Sequence, residues 1–197
     1  MNIKQGFLVY SNLAYLIPSA YAFYVELYYF GLAFLLTGVA SFLYHYDNNN
    51  STYKFADLYL SSCIILITFM ALYNLFDSIF AINVMLASYK FLEFFALIHH
   101  HRNVDNLYIP SYFFTIGILG CIPVYFYTNT FNEINYLSLS IAGACFAIGF
   151  TCKMLVEKKF KQYFVFGHTL WHFMTALCIF FTLFAHSNNI IVNSLHL

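Results

Sequence analysis

The feature that most restricts this chain is a succession of long apolar runs, nearly free of charge and separated by short polar breaks. Seven such runs can be read: Gly6–Phe23, Val25–Tyr46, Phe55–Phe76, Ile79–Ile98, Leu107–Tyr127, Ile134–Met154 and Tyr163–Ala185. The breaks between them are Asp47–Ser51, Asp77–Ser78, His99–Asn106, Thr128–Glu133 and Glu157–Gln162. Each run has about the length an α-helix needs to cross the ~30 Å hydrocarbon core of a bilayer. The ~10-residue alternation of a membrane barrel strand is not visible, so the spans are expected to be helices. Composition agrees, because 8% of residues are charged against about 25% in soluble domains, too few to clothe a water-facing surface. The same scarcity argues against a nucleic-acid partner. The expected fold is an all-α integral membrane protein, a seven-transmembrane helix bundle forming a single domain over residues 1–197.

The start of the chain, Met1–Gln5, is polar with a single Lys4 and no small-residue cleavage site, so the first run is expected to be a retained span. Cys63, Cys121, Cys145, Cys152 and Cys178 lie in or at the ends of apolar runs without a CxxC pair and read as small core residues. Pro18, Pro110 and Pro123 fall within or beside spans, where neighbouring helices can satisfy the carbonyl that a proline frees. Orientation follows from the basic residues, which are retained on the cytoplasmic side. Seven spans place Lys4, Lys54, Arg102, Lys153, Lys158, Lys159 and Lys161 on one side and none on the other, with Lys90 inside the fourth span. The N-terminus is therefore expected in the cytoplasm and the C-terminus outside.

Ionisable side chains within spans are costly and usually functional. Here they are His45, Asp57, Lys90, Glu93, His168 and His172, with Glu26 at an interface. His168 and His172 are four apart, which puts both imidazoles on one helix face at metal-chelating spacing. Ser41 and His45 share a face at the cytoplasmic end of the second span, Asp57 opens the third, and the histidine pair lies in the first turns of the seventh. All five groups are expected at similar depth. Three neutral imidazoles with an open fourth position make a catalytic zinc arrangement, in which the metal acidifies a bound water and polarises a carbonyl. Asp57 then suits the general acid and base, and Ser41 the oxyanion donor. A buried polar network without metal is the alternative, but it offers no reason for the alignment.

These residues, Ser41-x-x-x-His45, Asp57 and His168-x-x-x-His172 on seven spans, resemble the CREST superfamily of membrane hydrolases. That superfamily includes alkaline ceramidases, the progestin and adipoQ receptors, and myomaker-like proteins. Gly167-His168-Thr169-Leu170-Trp171-His172 and the residues after it are similar to the alkaline ceramidase signature, and Ser11-Asn12-Leu13-Ala14-Tyr15 to a Ser-Asn element of that group's first span. The stretch Glu26–Asp47 is closer to the myomaker-like branch. The resemblance implies zinc on His45, His168 and His172, with Ser41 and Asp57 at the catalytic water. Animal alkaline ceramidases bind calcium through an acidic segment ahead of the first span; Met1–Gly6 contains no carboxylate, and no such site is expected.

Lys90 and Glu93, three apart on the fourth span, read as an ion pair with a headgroup contact as the lesser reading. His99-His100-His101-Arg102 reads as a solvated turn, and Glu157–Lys161 as a basic cluster beside anionic lipid. Asp47, two residues beyond His45, is second to Asp57 as acid and base. The leading function is zinc-dependent hydrolysis of an N-acyl amide in a membrane lipid such as a sphingolipid. The alternative is a zinc-containing lipid sensor or membrane-remodelling protein of the same fold. A retinal protein would need a Schiff-base lysine, which the seventh span lacks, and a haem protein paired histidines at two depths.

Overall fold

The computed structural model describes residues 3–72 and 134–186, together with Asn83, Leu86, Ala87, Tyr89, Lys90 and Glu93. Among these residues all regular structure is helical. The first rod is helical in three joined pieces, α1 (Ile3–Tyr10), a 3₁₀ stretch (Ser11–Tyr15) and α2 (Leu16–Tyr24). Then come α3 (Tyr28–Tyr46), α4 (Ser51–Leu72), α5 (Tyr136–Lys158), a short 3₁₀ turn (Lys161–Tyr163) and α6 (Phe164–Ala185). Four segments, Tyr28–Tyr46, Ser51–Ala71, Tyr136–Val156 and Phe164–Ala185, are long and apolar enough to cross a membrane. Their outer faces carry the side chains that such a setting requires, with Leu137 at 73% and Phe166 at 67% exposure; a water-soluble monomer does not display apolar surface on this scale. The expected runs Ile79–Ile98 and Leu107–Tyr127 lie largely or wholly outside the described residues.

Two boundaries differ from the hydropathy reading, each for a local reason. The second helix starts at Tyr28 instead of Val25 because residues 22–27 terminate α2 in a Schellman arrangement. Leu27 N–H donates to the Ala22 carbonyl and Glu26 N–H to that of Phe23, with Glu26 at φ 63° where glycine is usual. The third helix starts at Ser51, four residues before Phe55. Asn50 causes this, since its Oδ1 accepts from Thr52 N–H at 3.0 Å and Tyr53 N–H at 3.3 Å, satisfying donors that a helix start leaves open. Asp57 consequently lies in the second turn of α4 and not at its opening.

Side-chain contacts give the direction of each neighbour. Tyr10 meets Phe42, and the Ser19 hydroxyl donates to the Gly31 carbonyl at 2.8 Å, so the first rod and α3 form an antiparallel hairpin. The tie of Asn135 N–H to the Ala185 carbonyl (3.0 Å) and the packing of Phe146 on Trp171 make α5 and α6 antiparallel too. At Gly167 this pair is so close that an added Cβ would lie 2.5 Å from Val156 Cγ2; a small residue there lets the backbones approach. The first rod, by contrast, runs parallel to α6: Ser11 pairs with His172, Tyr15 with Thr175 and Tyr21 with Phe180. Phe30, Phe34, Ile67 and Leu183 are almost fully buried where α3, α4 and α6 meet.

Candidate metal centre

His45 lies in the last turn of α3, and His168 and His172 occupy successive turns of one face of α6. The helices bring the three rings together, with centroid separations of 5.0 Å (His45 to His168), 5.2 Å (His45 to His172) and 4.9 Å (His168 to His172). One ring nitrogen from each lies within 4.8 Å of the others, a spread that would have to contract for one ion to be held by all three at ~2.1 Å. His45 and His172 are buried, at 8% and 3% exposure. The His45 Nε2 atom is buried without a hydrogen-bond partner among the described residues. A buried ring nitrogen left in that state is disfavoured, and a metal ion would satisfy it. Soft-to-intermediate nitrogen donors with no competing carboxylate in the group suit a divalent transition metal such as zinc.

Ser41 is buried one turn before His45 on α3, and its hydroxyl is in hydrogen-bonding reach of the Asp57 carboxyl on α4. A cation completes the cluster: Lys153, in the last turns of α5, lies within electrostatic reach of Asp57, His45 and His172. Its ammonium sits 4.9 Å from the centroid of the Trp171 ring, which holds it by cation–π attraction. Behind the histidines, Ser11 Oγ is 2.8 Å from His172 Nδ1, and the Tyr15 hydroxyl is 2.9 Å from Thr175 Oγ1. Asp47 is exposed in the turn after α3, where its carboxylate accepts from Asn49 N–H at 3.3 Å.

Residues 2–173 match the model of a family described as "Protein of unknown function (DUF3522)". The chain belongs to the DUF3522 family. No curated protein matches its sequence. The DUF3522 match takes in Ser11, Ser41, His45, Asp57, Lys153, His168 and His172, so the whole cluster lies within the stretch that defines family membership.

Two of these groups have a place in the cluster that the sequence of this DUF3522 protein does not disclose, although Ser11 belongs to the Ser-Asn element noted above. Lys153 is a single charge just inside the end of the sixth apolar run and reads as a topology residue. Ser11 is a hydroxyl in the first run whose partner is 161 positions away. Away from the cluster, Lys90 Nζ is 2.9 Å from Glu93 Oε2 and both side chains are exposed. The His99–Arg102 tract lies outside the described residues. Between the first rod and α3 runs a groove of about 370 Å³ with hydrocarbon walls from Leu13, Leu16, Leu35, Val39 and Leu43.

Proposed function

We propose that this DUF3522 protein is a zinc-dependent intramembrane lipid hydrolase that cleaves an N-acyl amide bond of the ceramide type, in keeping with the CREST resemblance of its motifs. The observation that carries the reading is the convergence of His45, His168 and His172 with Asp57 and Ser41 beside them. Zinc, when bound, supplies Lewis acidity that polarises a carbonyl and brings the pKa of water to ~7. The imidazoles hold the ion in their neutral form. Asp57 takes the proton of the water that adds to the acyl carbon and returns it to the departing nitrogen, so the C–N bond breaks to a fatty acid and an amine. Before reaction the single Ser41 proton serves the Asp57 carboxylate; once that carboxylate is protonated, the hydroxyl is released to donate to the oxygen gaining charge. Lys153 balances the charge of Asp57. The hydrocarbon-walled groove between the first rod and α3 offers an acyl chain an apolar surface.

The test is release of fatty acid from a panel of N-acyl and O-acyl lipids by purified protein. Release from N-acyl lipids is expected. Binding of those lipids and of zinc with no release from any of them would replace the hydrolase reading with that of a lipid sensor.

The arrangement we propose has seven spans. Its support is the parallel course of the first rod and α6, which calls for an odd number of crossings; the runs Ile79–Ile98 and Leu107–Tyr127 bring the count to seven. The segregation of the basic residues supports an orientation with the N-terminus in the cytoplasm and the C-terminus outside. Single cysteines introduced at Asn2 and His196 of a cysteine-free background are expected to react with impermeant maleimide from opposite sides of sealed vesicles. Reaction of both from one side would exclude seven crossings.

A further inference from the structure

The first helical rod tightens into 3₁₀ geometry at Ser11–Tyr15, where it touches α6. The local cause is competition for carbonyls: Ser11 Oγ donates to the Leu8 carbonyl at 2.7 Å, and Asn12 Nδ2 reaches the carbonyls of Leu8 and Val9, both at 3.1 Å. A 3₁₀ stretch within a longer helix often marks a functional position. Here it carries the one side chain from this rod that hydrogen-bonds to a member of the histidine cluster among the described residues.

The bonding around Ser11 Oγ settles where its proton goes. Two oxygens 2.7 Å apart, Ser11 Oγ and the Leu8 carbonyl, repel unless a hydrogen lies between them, and only the hydroxyl has one to offer. That proton is therefore committed. The second short contact, 2.8 Å from Ser11 Oγ to His172 Nδ1, also needs a hydrogen, which the imidazole must supply. His172 is thus the Nδ1–H tautomer, and its lone pair is on Nε2. Both residues are 3% exposed, so water does not compete for either bond.

We propose that Ser11 is a positioning residue for metal binding: by accepting the Nδ1–H of His172 it fixes the tautomer and the ring plane that present Nε2 to the ion. A metal-bound imidazole commonly donates its other N–H to an acceptor that orients it, and loss of such a partner weakens metal binding ~10- to 100-fold. The acceptor here is a hydroxyl and not a carboxylate, made an obligate acceptor by its own bond to Leu8. The inference deepens the metal reading of the cluster and rests on it for affinity, but not for the tautomer.

Two measurements on the full-length protein in detergent test it. Zinc affinity, by competition with a chelator of known strength, is expected to fall ~10- to 100-fold in Ser11→Ala and to change little in Ser11→Thr, which keeps the hydroxyl. Tyr15→Phe removes the neighbouring bond to Thr175 from the same 3₁₀ stretch and controls for general loosening against α6; its affinity should match wild type. Histidine-selective ¹⁵N spectra of metal-free protein, with His172→Gln assigning the signal, are expected to show the Nδ1–H form in wild type and a mixture of tautomers in Ser11→Ala. Unchanged affinity in Ser11→Ala, or an equal loss in Tyr15→Phe, overturns the positioning role. An Nε2–H signal for His172 in wild type overturns the tautomer. Wild-type protein that takes up no zinc yet shows the Nδ1–H form would sink the metal reading while leaving the serine–histidine geometry intact.

Discussion

Asp57→Asn is expected to reduce release of fatty acid from a ceramide-like substrate ~10²-fold or more, the scale of general acid–base catalysis, while leaving about one zinc per chain. The two effects separate because Asp57, which neighbours Ser41, is not one of the histidine group: among the described residues the cluster of potential ligand atoms consists of His45, His168 and His172. Asparagine preserves the shape of the carboxylate and an oxygen for the Ser41 hydroxyl to bond, so the contact between α3 and α4 survives. What it removes is a group able to take a proton from water and return it to the leaving nitrogen. Ser41→Ala should cost less, because the ion shares stabilisation of the developing oxyanion. Hydrolysis at the wild-type rate by Asp57→Asn would transfer the role elsewhere, with Asp47 next in line. Asp47 is exposed and already accepts from Asn49 N–H, so it would have to swing inward from the turn to act.

How much of this arrangement the sequence discloses depends on the range of the interaction involved. The helical runs are legible because hydropathy over some 20 residues reports the bilayer directly, and four of them appear as helices long enough to cross it. The start of α4 is misplaced by hydropathy because the polar first turn, Ser51–Lys54, is held by Asn50 and not by apolar packing. The start of α3 is displaced because Glu26 adopts a positive φ without the glycine that would have announced it. The histidines are legible through the i, i+4 spacing of His168 and His172 and the placement of His45 at a helix end, both properties of single helices. The contacts of Ser11, which the sequence marks only through its Ser-Asn resemblance, and of Lys153 are not, because what brings them in is which helices lie side by side. A parallel contact between the first rod and α6 and an antiparallel one between α5 and α6 have no local signature.

Replacing His45, His168 and His172 together by alanine is expected to take zinc content from about one per chain to none. On the proposed reading, three imidazoles would be the protein's contribution to a four-coordinate site that leaves one position for water or substrate; with them gone, no group of three or more potential ligands remains among the described residues. Single replacements should retain partial, weaker uptake, and His172→Ala should be the most damaging, because His172 also ties α6 to the first rod through Ser11. Loss of fold is the competing explanation for an empty protein, and it can be separated. His172→Gln with His45→Gln and His168→Gln retains polar side chains of comparable length, so helix content by circular dichroism and monodispersity in detergent should persist while zinc is absent. Undiminished zinc in a folded triple variant would place the metal elsewhere in the chain and end the assignment of this cluster, and with it the reason for reading Asp57 and Ser41 as its chemical partners.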